Sequence, residues 1–112
     1  MIVYGLKNCD GCKKALKALK EANYDITFHD LRHDGLDGTF VARLLDDIGK
    51  EKLVNTRSTT WRNLSAEDKG ALVEGDIKTL LLRYPTLIKR PIIDYQDNIT
   101  VGWSKEQQQR FL

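Results

Sequence analysis

The chain has two cysteines, Cys9 and Cys12, spaced as Cys-x-x-Cys between an apolar run and a lysine-rich helical pattern. Ile2, Val3 and Tyr4 read as a short buried strand. From Cys12 onward Ala15, Leu16, Leu19 and Ala22 fall at helix spacing. The pair therefore belongs on a strand-to-helix turn, with Cys9 at the helix N-terminus and Cys12 in its first turn. That is where a thiolate is stabilised.

A helix N-terminus stabilises a nearby anion by roughly 0.3–1 kcal/mol, and up to ~2 where partly buried. One pKa unit is about 1.4 kcal/mol, so the helix alone can lower a thiol from ~8.5 by about one unit. Lys7, Lys13, Lys14 or a hydrogen bond from the second thiol can add to this. Cys9 is then the nucleophile, and Cys12 can attack a mixed disulfide formed on it.

At 112 residues, 41% hydrophobic and 30% charged, the chain is sized for one globular domain. No apolar run approaches the ~18 residues of a membrane span, and a signal-peptide layout is missing at Met1. The expectation is cytoplasmic and without a membrane partner. In that compartment a lone cysteine pair is catalytic or metal-binding rather than a staple. Zinc is disfavoured. His29-x-x-x-His33 follows the cysteines after sixteen residues that read helix then strand, against ~12–15 in finger patterns. The net charge of +2 is too small to argue for nucleic acid, and no direct nucleic-acid partner is expected. The lysines crowd near the thiols, where Lys7, Lys13, Lys14, Lys17 and Lys20 face only Asp10. Such a run is a solvated helix face, and it also gives a positive field that attracts anions.

Asp25 to Asp30 alternates weakly and predicts a second strand, making a right-handed βαβ unit. Phe40, Val41, Leu44, Leu45 and Ile48 form one helical face, with Asp37 as N-cap and Gly49 as stop. Glu51 to Leu53 adds a further turn, and Asn55 to Arg62 reads as a loop. Ser65 with Asp68 opens a short helix through Val73. Asp76 caps another that buries Ile77, Leu80, Leu81 and Tyr84 and ends at Pro85. Ile92–Tyr95 and Ile99–Gly102 predict a hairpin. Ser104 with Gln107 then opens a terminal helix.

This order is α/β and thioredoxin-like: β-α-β, a helical insertion at about 36–84, then β-β-α, on a mixed four-stranded sheet in a single domain spanning 1–112. That layout calls for a proline, often cis, before the third strand and facing the cysteine turn. Arg90-Pro91 stands there. Without the layout, trans would be expected, since cis occurs in only ~5–6% of X-Pro bonds.

Tyr4-Gly5-Leu6-Lys7-Asn8-Cys9, Phe28-His29-Asp30, Asn55-Thr56-Arg57-Ser58-Thr59-Thr60-Trp61-Arg62 and Ile88-Lys89-Arg90-Pro91 together resemble the ArsC/Spx family, and its YffB-like branch most closely. The resemblance implies a thiol-dependent oxidoreductase related to arsenate reductases. In those glutathione/glutaredoxin-linked enzymes a helix-terminal cysteine attacks arsenate, three arginines hold the oxyanion, and glutathione resolves the adduct. Cys9 matches the cysteine, Arg57 the first arginine and Arg90 the second. A guanidinium offers forked donors to an oxyanion or carboxylate. Lys7, Lys13 and Pro91 complete the expected substrate-binding set.

The sequence also departs from that pattern. The third arginine would fall near Gly102-Trp103, and the histidine that precedes the reductase cysteine by four residues is Gly5 here. Cys12 is foreign to the reductase pattern and present in the Spx type. The resemblance thus implies a glutathione-dependent thiol reductase sooner than an arsenate reductase. It expects no bound cofactor, glutathione as co-substrate, glutaredoxin or thioredoxin as partner, and a monomer. The alternative is an Spx-like regulator that binds RNA polymerase, with Cys9–Cys12 as a redox switch.

Overall fold

The computed structural model describes residues 1–112. Its backbone forms two compact units, one of Met1–Gly35 with Arg90–Leu112 and one of Leu36–Lys89. The strands are β1 (Ile2–Gly5), β2 (Thr27–Asp30), β3 (Ile92–Tyr95) and β4 (Asn98–Val101). The helices are α1 (Asp10–Glu21), α2 (Gly38–Asp47), α3 (Lys50–Leu53), α4 (Thr59–Arg62), α5 (Ala66–Gly70), α6 (Ile77–Arg83) and α7 (Lys105–Phe111).

The first unit carries a mixed sheet in the order β2-β1-β3-β4. β1 and β2 run parallel with Val3 opposite Phe28 and Gly5 opposite Asp30, while β1 and β3 run antiparallel with Tyr4 opposite Ile92. β3 and β4 form the antiparallel hairpin. This is the α/β, thioredoxin-like layout that the element order implies.

Side chains alternate across the ladder. Val3 is fully buried, whereas Ile2 is 36% exposed, so the first strand is not buried along its whole length as its apolar run suggested. Val3, Leu19 and Ile93 centre the core, with Leu16, Phe28, Trp103 and Phe111 packed around them. Each such aliphatic side chain contributes about 1.5–3 kcal/mol on burial. Trp103 lies stacked on Phe111, ring centroids 6.4 Å apart. The Tyr24 hydroxyl donates to the Phe111 carbonyl at 2.6 Å and ties α7 to the end of α1.

The hairpin closes through Gln96 and Asp97 alone, with φ of 51° and 65°. Two consecutive left-handed residues give the turn a twist that matches its strands. The Arg90–Pro91 peptide is cis, and Pro91 is buried at the start of β3.

In the second unit Asp37 caps α2, its Oδ1 accepting from the Phe40 N–H at 2.8 Å. Val41 and Leu44 are buried, and Gly49, at φ 89°, carries the chain into α3. The segment expected to be an uninterrupted loop winds into α4 over its second half. Ser58 Oγ accepts from the Trp61 N–H at 3.1 Å. One turn is too short to leave a periodic trace, and its signal lies in the serine cap. Ser65 and Asp76 cap α5 and α6 in the same way, at 3.1 and 3.0 Å. α5 stops at Gly70, short of Val73, which is exposed. Ile77, Leu80 and Leu81 are buried and Tyr84 half-buried. Past Tyr84, Pro85–Leu87 form a 3₁₀ turn.

Candidate active site

Cys9 is the N-cap of α1, with extended backbone at φ −93° and ψ 118°. Its carbonyl accepts the first helical bond, from the Lys13 N–H at 3.0 Å, and its own N–H donates to the Leu6 carbonyl at 3.2 Å. The sulfur is thereby held at the mouth of the helix, partly exposed. Cys12, one turn in, is 1% exposed. Both cysteines are free thiols.

The two thiols are electrostatically unlike. Burial works against a Cys9 thiolate and is the strongest single influence on it. The Cys12 N–H, the Cys12 thiol and the Arg90 guanidinium together outweigh burial and bring Cys9 below its ordinary value. The first-turn amides face the sulfur without closing a formal capping bond. Cys12 is pushed up to about 11, first by burial and then by its bond to Cys9 and the charge there. The Leu6 N–H and Arg90 offset this only in part. Cys9 is the more readily ionised of the two thiols, and Cys12 is the donor to it.

Gly5 explains how Cys12 fits. A Cβ at Gly5 would land on Cys12 Sγ, and would lie 3.3 Å from Cys12 Cβ and 3.4 Å from Phe28 Cε1.

Cys9 opens onto a cavity of about 440 Å³. Lys7, Asn8, Arg32, His33 and Arg90 contribute to its wall, with Leu6 and Asp30 beneath them. Asp30 is 5% exposed and its carboxylate accepts three backbone N–H groups, those of Lys7 (3.1 Å), Arg32 (2.9 Å) and His33 (2.8 Å). His29 turns away, its Nε2 against the Gly35 carbonyl at 2.8 Å.

Of the residues singled out in the sequence, Cys9, Lys7 and Arg90 line this one cavity, with Cys12 and Pro91 buried. Lys13 is exposed on α1 and does not line it. Arg57 belongs to the second unit, where it is exposed and its N–H donates to Asn55 Oδ1 at 3.1 Å. The sequence reading passed over Arg32, His33 and Asp30 as lining residues. A signal for them was available, since ligands favour the carboxyl ends of parallel strands and Asp30-Leu31-Arg32-His33 leaves β2 at that end.

Comparison with known proteins shows the family and the fold. The family model described as the ArsC family matches residues 4–111. An uncharacterized protein of Haemophilus influenzae is 45% identical over 107 residues, covering 96% of this chain and 94% of its own length. The global transcriptional regulator Spx of Lactiplantibacillus plantarum is 26% identical over 114 residues, covering 100% of this chain and 86% of that protein. Among solved structures, the YFFB protein superposes with a TM-score of 0.90 at 32% identity, covering 99% of this chain and 97% of that one. An arsenate reductase (ArsC) related protein from Brucella melitensis gives 0.79 at 33% identity, covering 98% and 92%. The chain belongs to the ArsC family, in the branch that also holds the YffB-like proteins.

Proposed function

We propose that the protein is a glutathione-linked thiol reductase whose nucleophile is Cys9. The observation that carries the reading is the pairing of Cys9 at the cap of α1 with two donors, the buried Cys12 thiol and the Arg90 guanidinium, at a basic cavity. In a glutathione mixed disulfide, the Cys9 thiolate attacks the glutathionyl sulfur. The sulfur–sulfur bond breaks, the departing thiolate takes the electron pair and a proton, and glutathione stays bound through a new disulfide to Cys9. A second glutathione thiolate then attacks that glutathionyl sulfur, forming oxidised glutathione and returning Cys9 as thiolate.

Cys12 offers a second way out, by attacking Cys9 Sγ and expelling glutathione. The resulting Cys9–Cys12 disulfide then needs an external dithiol such as thioredoxin. A thiol near 11 is about one part in ten thousand ionised at pH 7. Cys12 is therefore a poor nucleophile in the reduced protein. Once the Cys9 charge is lost in the adduct, two of the influences that raise Cys12 disappear and only burial remains. Arg90, with Lys7, would hold the anionic portion of the substrate. Arsenate is the weaker candidate, because Gly5 and Gly102-Trp103 stand where its reductases have a histidine and an arginine.

The test is turnover of a glutathionylated peptide with glutathione as reductant. Cys9→Ser should abolish it and Cys12→Ser should retain part of it. Full activity in Cys9→Ser ends the proposal. A second reading, an Spx-like redox-switched regulator, rests on the likeness to Spx along the whole chain and on the shared Cys-x-x-Cys. It requires RNA polymerase binding that differs between the dithiol and disulfide forms, with no turnover.

A further inference from the structure

The cavity at Cys9 has two sides with different origins. Lys7 lies between β1 and α1, while Arg32 and His33 lie beyond β2, more than twenty residues away in sequence. One carboxylate joins them. Asp30 Oδ2 takes the Lys7 N–H, and Oδ1 takes the Arg32 and His33 N–H groups. Asp30 is itself fixed, since its N–H donates to Asp34 Oδ2 at 2.9 Å and the Leu31 N–H donates to the Gly5 carbonyl at 2.9 Å. With three backbone donors on its oxygens, the Asp30 carboxylate closes no salt bridge to a side-chain cation, although the Lys7 charge acts on it. The Lys7 ammonium and the Arg32 guanidinium form no ion pair within the chain.

We propose that Lys7 and Arg32 receive a carboxylate of the disulfide substrate, and that Asp30 is the positioning residue that braces their two loops into one wall beside Cys9. This rests on the thiol reductase reading and deepens it by naming Arg32 and Asp30 as residues that select the carboxylates of the glutathionyl group. The cavity volume of about 440 Å³ suits a short peptide. Its cations, Lys7, Arg32 and Arg90, outnumber the Asp30 carboxylate and the Cys9 thiolate. The site therefore selects a net anionic group and disfavours a cationic disulfide such as cystamine.

The experiment follows a single turnover of the reduced protein, without added glutathione. It compares kcat/KM for the glutathione mixed disulfide of a neutral peptide with kcat/KM for hydroxyethyl disulfide, which is uncharged and in the absence of glutathione stays so. Arg32→Ala and Lys7→Ala should each lower the ratio of the two about tenfold, through KM for the anionic substrate, and raised salt should lower it in the wild type. Asp30→Asn should lower the ratio as well, with the change again in KM. An unchanged ratio in both Arg32→Ala and Lys7→Ala overturns the proposal. Arg32 is exposed, so its variant keeps the test open if Asp30→Asn does not fold. Failure of the underlying reading looks different, because no disulfide is then turned over by the wild type. In that event, titration of Cys9→Ser protein with S-methylglutathione decides the matter. Binding weakened about tenfold by Arg32→Ala supports the wall, and binding indifferent to it refutes it.

Discussion

Gly5 and Cys12 share one site in the packing, for the space a Gly5 side chain would fill holds Cys12 Sγ. A Cβ at the end of β1 would require the Cys12 thiol, one turn into α1, to shift. Arsenate reductases of the resembling type carry histidine at the Gly5 position and lack the second cysteine. Both departures in this chain are therefore one structural choice. The donor that supports the Cys9 thiolate comes from α1 instead of β1.

Gly5→Ala should cost about 1–3 kcal/mol of stability, as overpacking of a filled core does. Adding Cys12→Ala should recover more than half of that, because only the 3.3 Å and 3.4 Å contacts remain. Urea unfolding of the two single variants and the double closes the cycle. Additive losses would show that the two positions do not compete.

Alkylation of the reduced protein against pH, with each cysteine followed by peptide mass, should give two separate midpoints. Cys9 should titrate below its ordinary value of 9.0 and Cys12 near 11. Arg90→Ala and Cys12→Ala each remove a donor to the thiolate, so both should move the Cys9 midpoint upward. Arg90→Ala should also lower kcat/KM about 10–100-fold, the worth of a hydrogen bond to a charged group.

Asp30 is held below its ordinary value of 3.8, first by the His33 N–H and, against the opposing effect of burial, by the Arg32 and Lys7 N–H groups. Its folded value lies below its unfolded one, so its stabilisation is present above about 3.8 and is lost as pH falls through the lower native value. Asp30→Ala should cost about 2–3 kcal/mol at pH 7. The gap to wild type should narrow on acidification. A gap that stays constant from pH 7 to pH 2 would place the effect in packing instead of charge.

The Gln96-Asp97 turn holds two side-chain-bearing residues at positive φ. Asp97→Gly should raise stability by roughly 0.5–1 kcal/mol, seen as a higher melting temperature with unchanged turnover.

The course of the fold was legible wherever a residue pattern repeats or a cap is chemically distinctive. Cys9 and Cys12 declared the strand-to-helix turn, and Asp37, Ser65, Asp76 and Ser104 each cap the helix their spacing announced. α4 escaped because Ser58 governs a single turn, within which no period can form. The site was legible only in part. Cys9 and Arg90 carry a motif, whereas Arg32 and His33 enter the cavity through the register of β2 on β1 and through two bonds to Asp30. Those are tertiary facts, and a charged pair just past a strand otherwise reads as ordinary surface.

The sheet keeps its chemistry at one rim. Gly5 ends β1, Asp30 ends β2 and Pro91 precedes β3, with Tyr4 opposite Ile92. The hairpin turn leaves from the other rim, where Asp94 pairs with Ile2. A fluorophore or inserted peptide at that turn would stand the length of a strand away from the thiols and leave them unperturbed. The same separation leaves the loops around Cys9 free to diverge toward new disulfides while the ladder behind them stays as it is.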